Sequence, residues 1–473
     1  MSTNGFRFDN SYARLSPFLF ARQLPTPVAA PTLLLLNDAL VGELGLDAHV
    51  LRERGAGWFS GNVPMDGAEP LAQAYAGHQF GHPAMLGDGR CVLLGEQVMP
   101  TGRRVDVQLK GAGRTPFSRG GDGRAVLGPM LREYLISEAM AALGIASTRS
   151  LAVVTTGESV QRETPLPGAI LTRVAASHIR VGTFQYASWH QDKSLLPGLF
   201  DYTLQRHYPQ LAQADNPALA LLDAVMDAQI ALVVSWMRVG FIHGVLNTDN
   251  VAISGESIDF GPCAFMDSYD PATVFSSIDR QGRYAFGNQP FITHWNLGRL
   301  AEALLPLIGE DESRAIADAS TLLDSFMPRF DAAWRQMMRA KLGLVGEQDG
   351  DAELIADWLA LLKSETLDYT NAHLALMQEA LPSQSAAMQD WHARWRARFT
   401  ASGSKELMQA NNPVMIARNH LVQQALDAAE QGEMMPFHEL LAVLQSPFNK
   451  PADERYGQPP SPAEAVCQTF CGT

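Results

Sequence analysis

One short stretch of the chain carries amide and carboxylate side chains of the type that holds a divalent cation. In HGVLNTDNVAISGESIDFGP, which begins at His243, Asp249 and Asn250 stand side by side and Asp259 follows a short apolar segment. Amide and carboxylate oxygens are the hard ligands that Mg2+ prefers. The spacing predicts that a loop and the strand after it bring Asn250 and Asp259 to one metal ion.

The same stretch differs at one position from the catalytic loop of protein kinases. Kinases carry H-R-D-x-x-x-x-N, whose Asp accepts the proton of the substrate hydroxyl, followed by D-F-G. Here His243 and Asn250 match the first and last residues of the kinase motif, and Asp259 is the first residue of a D-F-G sequence. Val245 occupies the position of the kinase catalytic Asp. A valine cannot accept a proton. Asp249 is the carboxylate inside the loop, so it is the candidate general base, and His243 is expected to hydrogen-bond backbone.

Two earlier segments could bring a lysine and a glutamate to this loop. RRVDVQLKGAG alternates apolar and polar residues, which predicts a strand with Lys110 on the face opposite its valines. GPMLREYLISEAMAALG has the apolar spacing of a helix that ends at Gly144 and carries Glu133 and Glu138. A strand lysine followed by a helix glutamate is how a kinase fixes its lysine on the phosphates. An ordinary surface charge pattern is the alternative.

Glycines and arginines near these elements could bind anionic oxygens. GAGRTPFSRGGDGRA offers backbone amides to phosphates, although it lacks the Walker pattern and a flexible loop is the alternative. Arg173 and Arg180 follow in AILTRVAASHIRVGTFQYA. Arginine suits bidentate contact with phosphate, so both are candidate phosphate ligands.

Composition excludes several classes of protein. The chain has 473 residues, 46% of them hydrophobic, which is enough for more than one core. Its net charge of -14 argues against nucleic acid as a partner. The amino terminus has no signal or transit pattern and no segment has the unbroken apolar run of a membrane span, so a cytoplasmic protein is expected. The 4 cysteines form neither a disulfide framework nor a zinc pattern.

The rest of the chain is predicted to be irregular or helical. The first 70 or so residues are expected to form a proline-punctuated wrap with one helix near Thr32–Leu44, and AMLGDGRCVLLGEQV to form two short strands around Asp88. NPALALLDAVMDAQIALVVSWMRVGF predicts a buried helix. An acidic break at Gly346–Glu353 precedes amphipathic helices and a proline-rich tail.

Strings along the whole chain are long enough to be specific to a family: FDNSYARL, AYAGHQFG, LGDGR, QLKGAGRTPFSRGGDGRA, REYLISEAM, HGVLNTDN, IDFGP, DRQGRYAFGNQP and FCGT. Together, from about Phe8 to Thr473, they resemble the selenoprotein O family of pseudokinase-fold protein adenylyltransferases. The resemblance implies that ATP binds in a flipped orientation relative to kinases, with Mg2+ or Mn2+. It also implies transfer of AMP to Ser, Thr or Tyr hydroxyls of protein substrates, with release of pyrophosphate.

The resemblance assigns roles residue by residue. Glu133 becomes the partner of Lys110, Asp249 the base, and Asn250 and Asp259 the metal ligands. Nucleotide contacts are implied for Gly87, Gly89, Arg90, Lys110, Asp122, Gly123, Arg173 and Arg180.

The chain departs from the family at its carboxy-terminal redox site. Cys471 corresponds to the family's selenocysteine or cysteine, but the loop after D-F-G, DSYDPATVFSSIDRQGRY, contains no cysteine to pair with it. Cys467 and Cys263 are the alternative partners for a regulatory disulfide.

The resemblance implies an α+β fold that is kinase-like and bilobal. The protein is expected to be a monomer. Residues 1–80 are expected to form an extension packed on the core, 81–185 an N-lobe of antiparallel sheet and helix, 186–345 a mainly helical C-lobe with the catalytic loop and D-F-G, and 346–473 a helical region with a cysteine-bearing tail.

Two other functions stay open from the residues alone. One is a kinase that transfers the γ-phosphate with a relocated base, and the other is an inactive ATP-binding pseudokinase scaffold.

Overall fold

In the computed structural model, which describes residues 5–469, the chain forms one large antiparallel sheet and a larger helical part. The strands are β1 Phe20–Arg22, β2 Thr32–Leu36, β3 Leu71–Gln73, β4 Ala76–Gln79, β5 His82–Met85, β6 Cys91–Val98, β7 Arg104–Lys110, β8 Ala125–Val126, β9 Arg149–Gln161, β10 Pro165–Ala175, β11 Phe241–Ile242 and β12 Ala264–Phe265. The helices are α1 Asp38–Glu43, α2 Ala48–Ser60, α3 Leu127–Ala142, α4 Val181–Trp189, α5 Leu195–His207, α6 Pro217–Arg238, α7 Gln289–Ile308, α8 Glu312–Asp324, α9 Phe326–Lys341, α10 Asp351–Ser364, α11 Tyr369–Met377, α12 Ala386–Ser402, α13 Lys405–Asn411, α14 Asn419–Glu430 and α15 Met435–Leu444.

The eight-stranded sheet separates two hydrophobic layers. Its strand order is β1-β3-β6-β7-β10-β9-β2, with β8 paired to β10. Val105, Val107 and Leu109 of β7 belong to the same hydrophobic cluster as Trp58 and Phe59 of α2. The opposite face packs against α3 and joins the core of the helical part. The alternation in RRVDVQLK therefore turns Lys110 away from α2, as the sequence predicts.

The first 80 residues form more regular structure than the sequence predicts. The predicted helix over Thr32–Leu44 is wrong in its first half, because the run of leucines forms β2 and pairs with β9. Only the second half is helical, and Asn37 caps α1 by accepting a hydrogen bond from the Leu40 amide. Strands β1 and β3 also join the sheet, so the expected wrap supplies three of its eight strands.

The strands predicted around Asp88 are present as β5 and β6, whereas, among the described residues, the strand predicted after Asn250 is not. The strands on either side of Asp88 do not pair with each other, because β5 pairs with β4 while β6 pairs with β7. The apolar residues after Asn250 form no extended strand within residues 5–469. Ala252 makes only an isolated bridge to Arg180, and Ser257 makes one to Ser147. These two bridges attach the segment between Asn250 and Asp259 to the neighbouring backbone at Arg180 and Ser147.

The long apolar segment forms the central helix of the helical part. Helix α6 begins after Asn216, whose side chain caps the Leu219 amide, and the chain leaves it at Gly240, where φ is 74°. It packs against α7 and α9. Among the described residues, α6 is the one helix whose length and composition would suit a membrane span, and 56% of its apolar window is buried inside the protein.

The carboxy-terminal helices return to the sheet. Helices α14 and α15 pack against α3, and Val422, Leu426 and Phe437 join the core formed by α3. Residues far apart in sequence therefore surround one face of α3.

Candidate active site

A cavity of about 800 Å3 lies between the sheet and the loop that carries Asp249. Strand β7, helix α3 and the glycine-rich loop after β7 form one wall, and the D-F-G segment forms the other. Most of the residues selected from the sequence line it: Gly87, Gly89, Arg90, Lys110, Asp122, Gly123, Glu133, Arg173, Asp249, Asn250 and Asp259. Arg180 lies behind this wall rather than on it.

Four charged side chains form a compact cluster inside the cavity. Lys110 Nζ lies 2.5 Å from Glu133 Oε2 and 2.6 Å from Asp259 Oδ1. Arg173 Nη1 lies 2.7 Å from the same Asp259 oxygen and 3.3 Å from Glu133 Oε1. Glu138, the other acid of α3, pairs with Arg149 instead. Strand β7, strand β10 and helix α3 thus hold two cations and one carboxylate in front of the D-F-G aspartate.

Asp259 is held in an unusual backbone conformation. Its φ is 64°, in the left-handed region that aspartate tolerates better than most residues. The residue before it is fixed by His243, whose buried Nε2 is 2.9 Å from the Ile258 carbonyl oxygen. Burial would raise the pKa of Asp259, but Arg173, Lys110 and Arg180 outweigh burial and hold the pKa well below its usual range. The side chain is therefore a permanent carboxylate that points at the cations.

Arg180 supports the cluster from behind. Its Nη1 donates to the Asp249 carbonyl oxygen at 2.8 Å and lies 3.5 Å from Asp259 Oδ2. Its guanidinium carbon lies 4.4 Å from the ring centroid of Tyr75, which does line the cavity. Its Nη2 is buried and has no hydrogen-bond partner among the described residues. A buried guanidinium nitrogen without a partner favours an additional anionic ligand.

Asp249 and Asn250 lie on the opposite wall in a short 3-10 turn. Burial raises the pKa of the Asp249 carboxyl to about 6, although Arg180 acts in the lowering direction. Its Oδ1 is buried without a partner in the described part of the chain. Asn250 Nδ2 donates to the Val245 carbonyl at 2.9 Å, which leaves Oδ1 as the free acceptor of this amide. A carboxylate that titrates near neutral pH is suited to act as a general base.

The hairpin of β4 and β5 is hydrogen-bonded to the loop that carries Asp249. The His78 amide donates to Thr248 Oγ1 at 2.7 Å, and the Phe80 amide donates to Asn247 Oδ1 at 3.1 Å. Gly77 lies directly against Asp249. A Cβ at Gly77 would overlap Asp249 Oδ1 and would lie 2.9 Å from Asp249 Cγ. The absence of a side chain at Gly77 therefore sets the position of the candidate base.

We expect Gly77→Ala to lower the rate of catalysis at least tenfold, because the added methyl group pushes the Asp249 carboxylate from its position. Gly198→Ala is the matched control, since a Cβ there meets nothing within 4 Å. Initial rates at saturating ATP should fall for the first variant and stay at the wild-type value for the second. Equal rates for both variants would show that Gly77 does not position the base.

The glycine-rich loop after β7 closes the cavity. Asp122 accepts from the Arg124 amide at 2.9 Å and from Arg162 Nη1 at 2.8 Å, and the Arg162 hydrogen bond lowers the pKa of its carboxyl. Gly123 has φ 69°, and a Cβ there would lie 2.6 Å from the Arg114 backbone nitrogen. Because Asp122 is anionic, we expect it to face a ribose hydroxyl or base amino group rather than a phosphate.

Several lining residues were not selected from the sequence. Arg119 lies in the glycine-rich loop with φ 49°, lines the cavity, and has no hydrogen-bond partner among the described residues. Its place among the loop's glycines and arginines was a signal that could have singled it out. Other lining residues come from α14 and the tail: Gln423, Leu426, Glu430, Gln468 and Thr469. Nothing in their local sequence points to the site, because only the return of the chain to α3 brings them there.

The donor set at the D-F-G segment fits a hard divalent cation that also binds substrate phosphates. No group of three or more His, Cys, Asp or Glu side chains that could hold a metal ion occurs within residues 5–469. The Asn250 amide oxygen and the Asp259 carboxylate both line the cavity. Mg2+ is commonly bound by one or two protein oxygens together with substrate phosphates. Asn250 and Asp259 therefore fit such an ion in the presence of a nucleotide.

The cysteines give only a partial test of the redox expectation. Cys471 lies outside the described residues, so its pairing stays a prediction. Cys263 is fully buried beside the D-F-G segment, whereas Cys467 is exposed. Of the two alternative partners, Cys467 is the one that solvent reaches.

Comparisons with known proteins agree along the whole chain. Residues 5–445 match the family model described as Protein adenylyltransferase SelO. The chain is 61% identical to the Protein nucleotidyltransferase YdiU of Alcanivorax borkumensis, with 100% of both chains covered. It is 56% identical to that of Anoxybacillus flavithermus, with 99% of both chains covered. It is 54% identical to that of Syntrophotalea carbinolica, with 99% of this chain and 98% of the relative covered.

Proposed function

The chain belongs to the protein adenylyltransferase SelO family, and we propose that the cavity beside Asp249 is where it transfers AMP. The protein is an enzyme, a protein nucleotidyltransferase, and its substrates are a nucleotide and other proteins. Transfer of AMP is favoured over a kinase reaction or an inactive scaffold. The nucleotide we propose is ATP, and the acceptors are Ser, Thr or Tyr hydroxyls.

The observation that carries the proposal is the group of cations at Asp259. Lys110 and Arg173 contact its carboxylate directly, and Arg180 lies 3.5 Å from it with one guanidinium nitrogen unpartnered. Buried cations favour a triphosphate over an uncharged purine base. We therefore place the β- and γ-phosphates against these side chains. This is the flipped orientation, in which the α-phosphorus is the reactive centre.

Adenylyl transfer needs one proton acceptor and one stabilised leaving group. We propose that Asp249 accepts the proton of the protein hydroxyl while the hydroxyl oxygen bonds to the α-phosphorus. The bond between the α-phosphorus and the bridging oxygen breaks, and that oxygen leaves with its electron pair as part of pyrophosphate. Lys110 and Arg173 remain on the pyrophosphate and stabilise its charge. The base lost at Val245 is thereby replaced by the neighbouring carboxylate four residues on.

Asn250 and Asp259 would hold Mg2+ or Mn2+ on the triphosphate. When bound, the metal ion neutralises phosphate charge as pyrophosphate forms. Asn250 Oδ1 is free to accept a ligand because its Nδ2 already donates to Val245. With the ion bound, Asp259 would ligate it, and Lys110 and Arg173 would be available to the phosphates.

We propose that the architecture is a kinase-like bilobal fold. The strand lysine, the helix glutamate and the D-F-G aspartate meet as kinase catalysis requires. The proposed division at residue 345 falls between α9 and α10, but the division at residue 185 falls inside α4 and the division at residue 80 falls inside the β4–β5 hairpin. The first extension is therefore better described as part of the sheet lobe. A cytoplasmic location and a monomeric state stay predictions.

The small-molecule product tests the proposal. With ATP, a divalent cation and an unfolded protein acceptor, we expect pyrophosphate to appear in proportion to modified protein, because the leaving group of adenylyl transfer is pyrophosphate. A kinase reaction would release ADP instead. Separation of the nucleotides on an anion-exchange column, with a pyrophosphatase-coupled assay in parallel, distinguishes the two. ADP in proportion to modified protein would overturn the proposal.

A further inference from the structure

The end of the described chain pairs with the segment after D-F-G. The Thr469 amide donates to the Phe275 carbonyl at 2.7 Å, and the Ser277 amide donates to the Thr469 carbonyl at 3.1 Å. Thr469 and Ser276 form an isolated parallel bridge. The tail thus adds one extended residue to Phe275–Ser277, which we call the acceptor edge.

This pairing brings a hydroxyl side chain into the active-site cavity. Thr469 is buried and lines the cavity together with Gln468. Its Oγ1 donates to the Pro262 carbonyl oxygen, and that oxygen lies 2.7 Å from where a Cβ would project at Gly244. Thr469 is therefore held beside the loop that leads to Asp249, with its hydroxyl tied to backbone rather than to the base.

The tail before Thr469 is mostly exposed. From Ser461 to Gln468 all residues but one are exposed, and they belong to no helix or strand. Thr469 alone in this stretch is buried and paired with the acceptor edge. Beside the edge, Ile278 lines the cavity and is 56% exposed. An exposed apolar side chain next to an edge offers both backbone pairing and side-chain contact to an extended segment.

We propose that the acceptor edge Phe275–Ser277 docks an extended, hydroxyl-bearing segment of the protein substrate, and that the tail occupies this position until the substrate displaces it. The inference rests on the proposed function, which requires a protein hydroxyl to enter this cavity. Strand addition supplies affinity through backbone hydrogen bonds and therefore accepts varied sequences. Thr469 indicates which residue of the docked segment would enter the cavity, because its own side chain lines the cavity.

Removing the tail tests the proposal. A variant ending at Glu464 lacks the whole segment, and Thr469→Pro in the full chain lacks the amide that donates to Phe275. Because a tethered segment competes at an effective concentration on the order of millimolar, both changes should lower the KM for a protein acceptor several-fold. The acceptor is reduced, alkylated α-lactalbumin, and label from the α-phosphate of ATP measures transfer. The KM for ATP should stay constant. Ser461→Ala is the control, since within residues 5–469 the Ser461 hydroxyl hydrogen-bonds only Glu464.

A synthetic peptide makes the test independent of turnover. A fluorescent peptide of residues 465–473, with serine at both cysteine positions, should bind the truncated protein, as measured by anisotropy. Unlabelled α-lactalbumin should displace it, and the peptide should inhibit transfer competitively with this acceptor but not with ATP. Lack of peptide binding, failure of α-lactalbumin to displace it, or competition with ATP would each overturn the inference. If no protein is labelled, the proposed function fails, but the displacement result still decides whether the edge docks protein.

Discussion

Replacing Asp259 by asparagine should abolish AMP transfer while ATP still binds. The asparagine keeps the shape of the side chain but removes the charge that contacts Lys110 and Arg173. Transfer should fall about a thousandfold, the cost of losing one preorganised charged group at a reacting phosphate. ATP should bind at least as well, because the two cations then have only Glu133 to balance them. Transfer rates and ATP titrations by isothermal calorimetry measure the two effects separately.

The matched control for this variant is Asp270→Asn. Asp270 follows the D-F-G segment, but its side chain is 46% exposed, pairs with Lys363 and accepts a hydrogen bond from the Ala272 amide. It should keep the wild-type rate, since exposed ion pairs contribute little. An Asp259→Asn enzyme that retained transfer within tenfold of wild type would contradict the assignment of Asp259 as a ligand of the metal ion on the triphosphate. Loss of ATP binding together with transfer would instead indicate that the cation cluster collapses without the carboxylate.

Replacing Asp249 by asparagine should lower the rate of transfer by about two to four orders of magnitude, which is the usual contribution of a general base. ATP affinity should change little, because the proton acceptor contacts the hydroxyl rather than the phosphates. The wild-type rate should also depend on pH. Burial raises the pKa of Asp249 to about 6, and the base works only when deprotonated. The rate should therefore fall as the pH is lowered through about 6.

The residual rate of Asp249→Asn should be flat across that pH range, which is the readout that a merely structural role would not produce. Asp227→Asn is the control, since the Asp227 side chain is 64% exposed on α6 and its one ion pair in the described part of the chain is with Arg329. Rates from pH 5 to pH 8, measured with thermal unfolding at each pH, separate a loss of base from a loss of fold. A variant that kept the wild-type pH profile would show that another group accepts the proton.

Elements with strong local periodicity were predictable from the sequence. The alternation in RRVDVQLK gives β7, and the apolar spacing around Glu133 and in the long segment before Gly240 gives α3 and α6. In each case one face is buried, so the hydrophobic pattern and the tertiary environment agree. The catalytic loop was also recognisable, because its chemistry depends on a few residue types at fixed spacing.

Elements whose structure depends on distant partners were not predictable in the same way. The leucines at residues 33–36 have no periodicity that separates strand from helix, and pairing with β9 decides the outcome. The glycine-rich loop was recognisable, and its arginines made Arg119 a candidate, but only the structure shows which of these arginines lie on the cavity wall. Leu426 and Thr469 reach the site only because α14 and the tail return to α3 and the acceptor edge. Such long-range contacts leave no mark in a local pattern.

One glycine affects the geometry of the candidate site in a way that side-chain patterns do not reveal. Gly77 belongs to AYAGHQFG and has no side chain of its own, yet a Cβ at this position would overlap the Asp249 carboxylate. The close approach requires that no Cβ be present. The hairpin of β4 and β5 therefore belongs to the proposed catalytic site, and the amides of His78 and Phe80 also hydrogen-bond the loop that carries Asp249.

The most direct test of the account asks which phosphate of ATP enters protein. Purified enzyme, Mg2+ or Mn2+ and an unfolded acceptor are incubated with ATP labelled at the α-phosphate or, in a parallel reaction, at the γ-phosphate, with Asp259→Asn as the blank. The account predicts label in protein from the α-phosphate alone and none in the blank. Label from the γ-phosphate would contradict it, because the enzyme would then be a kinase that uses Asp249 in place of the missing base.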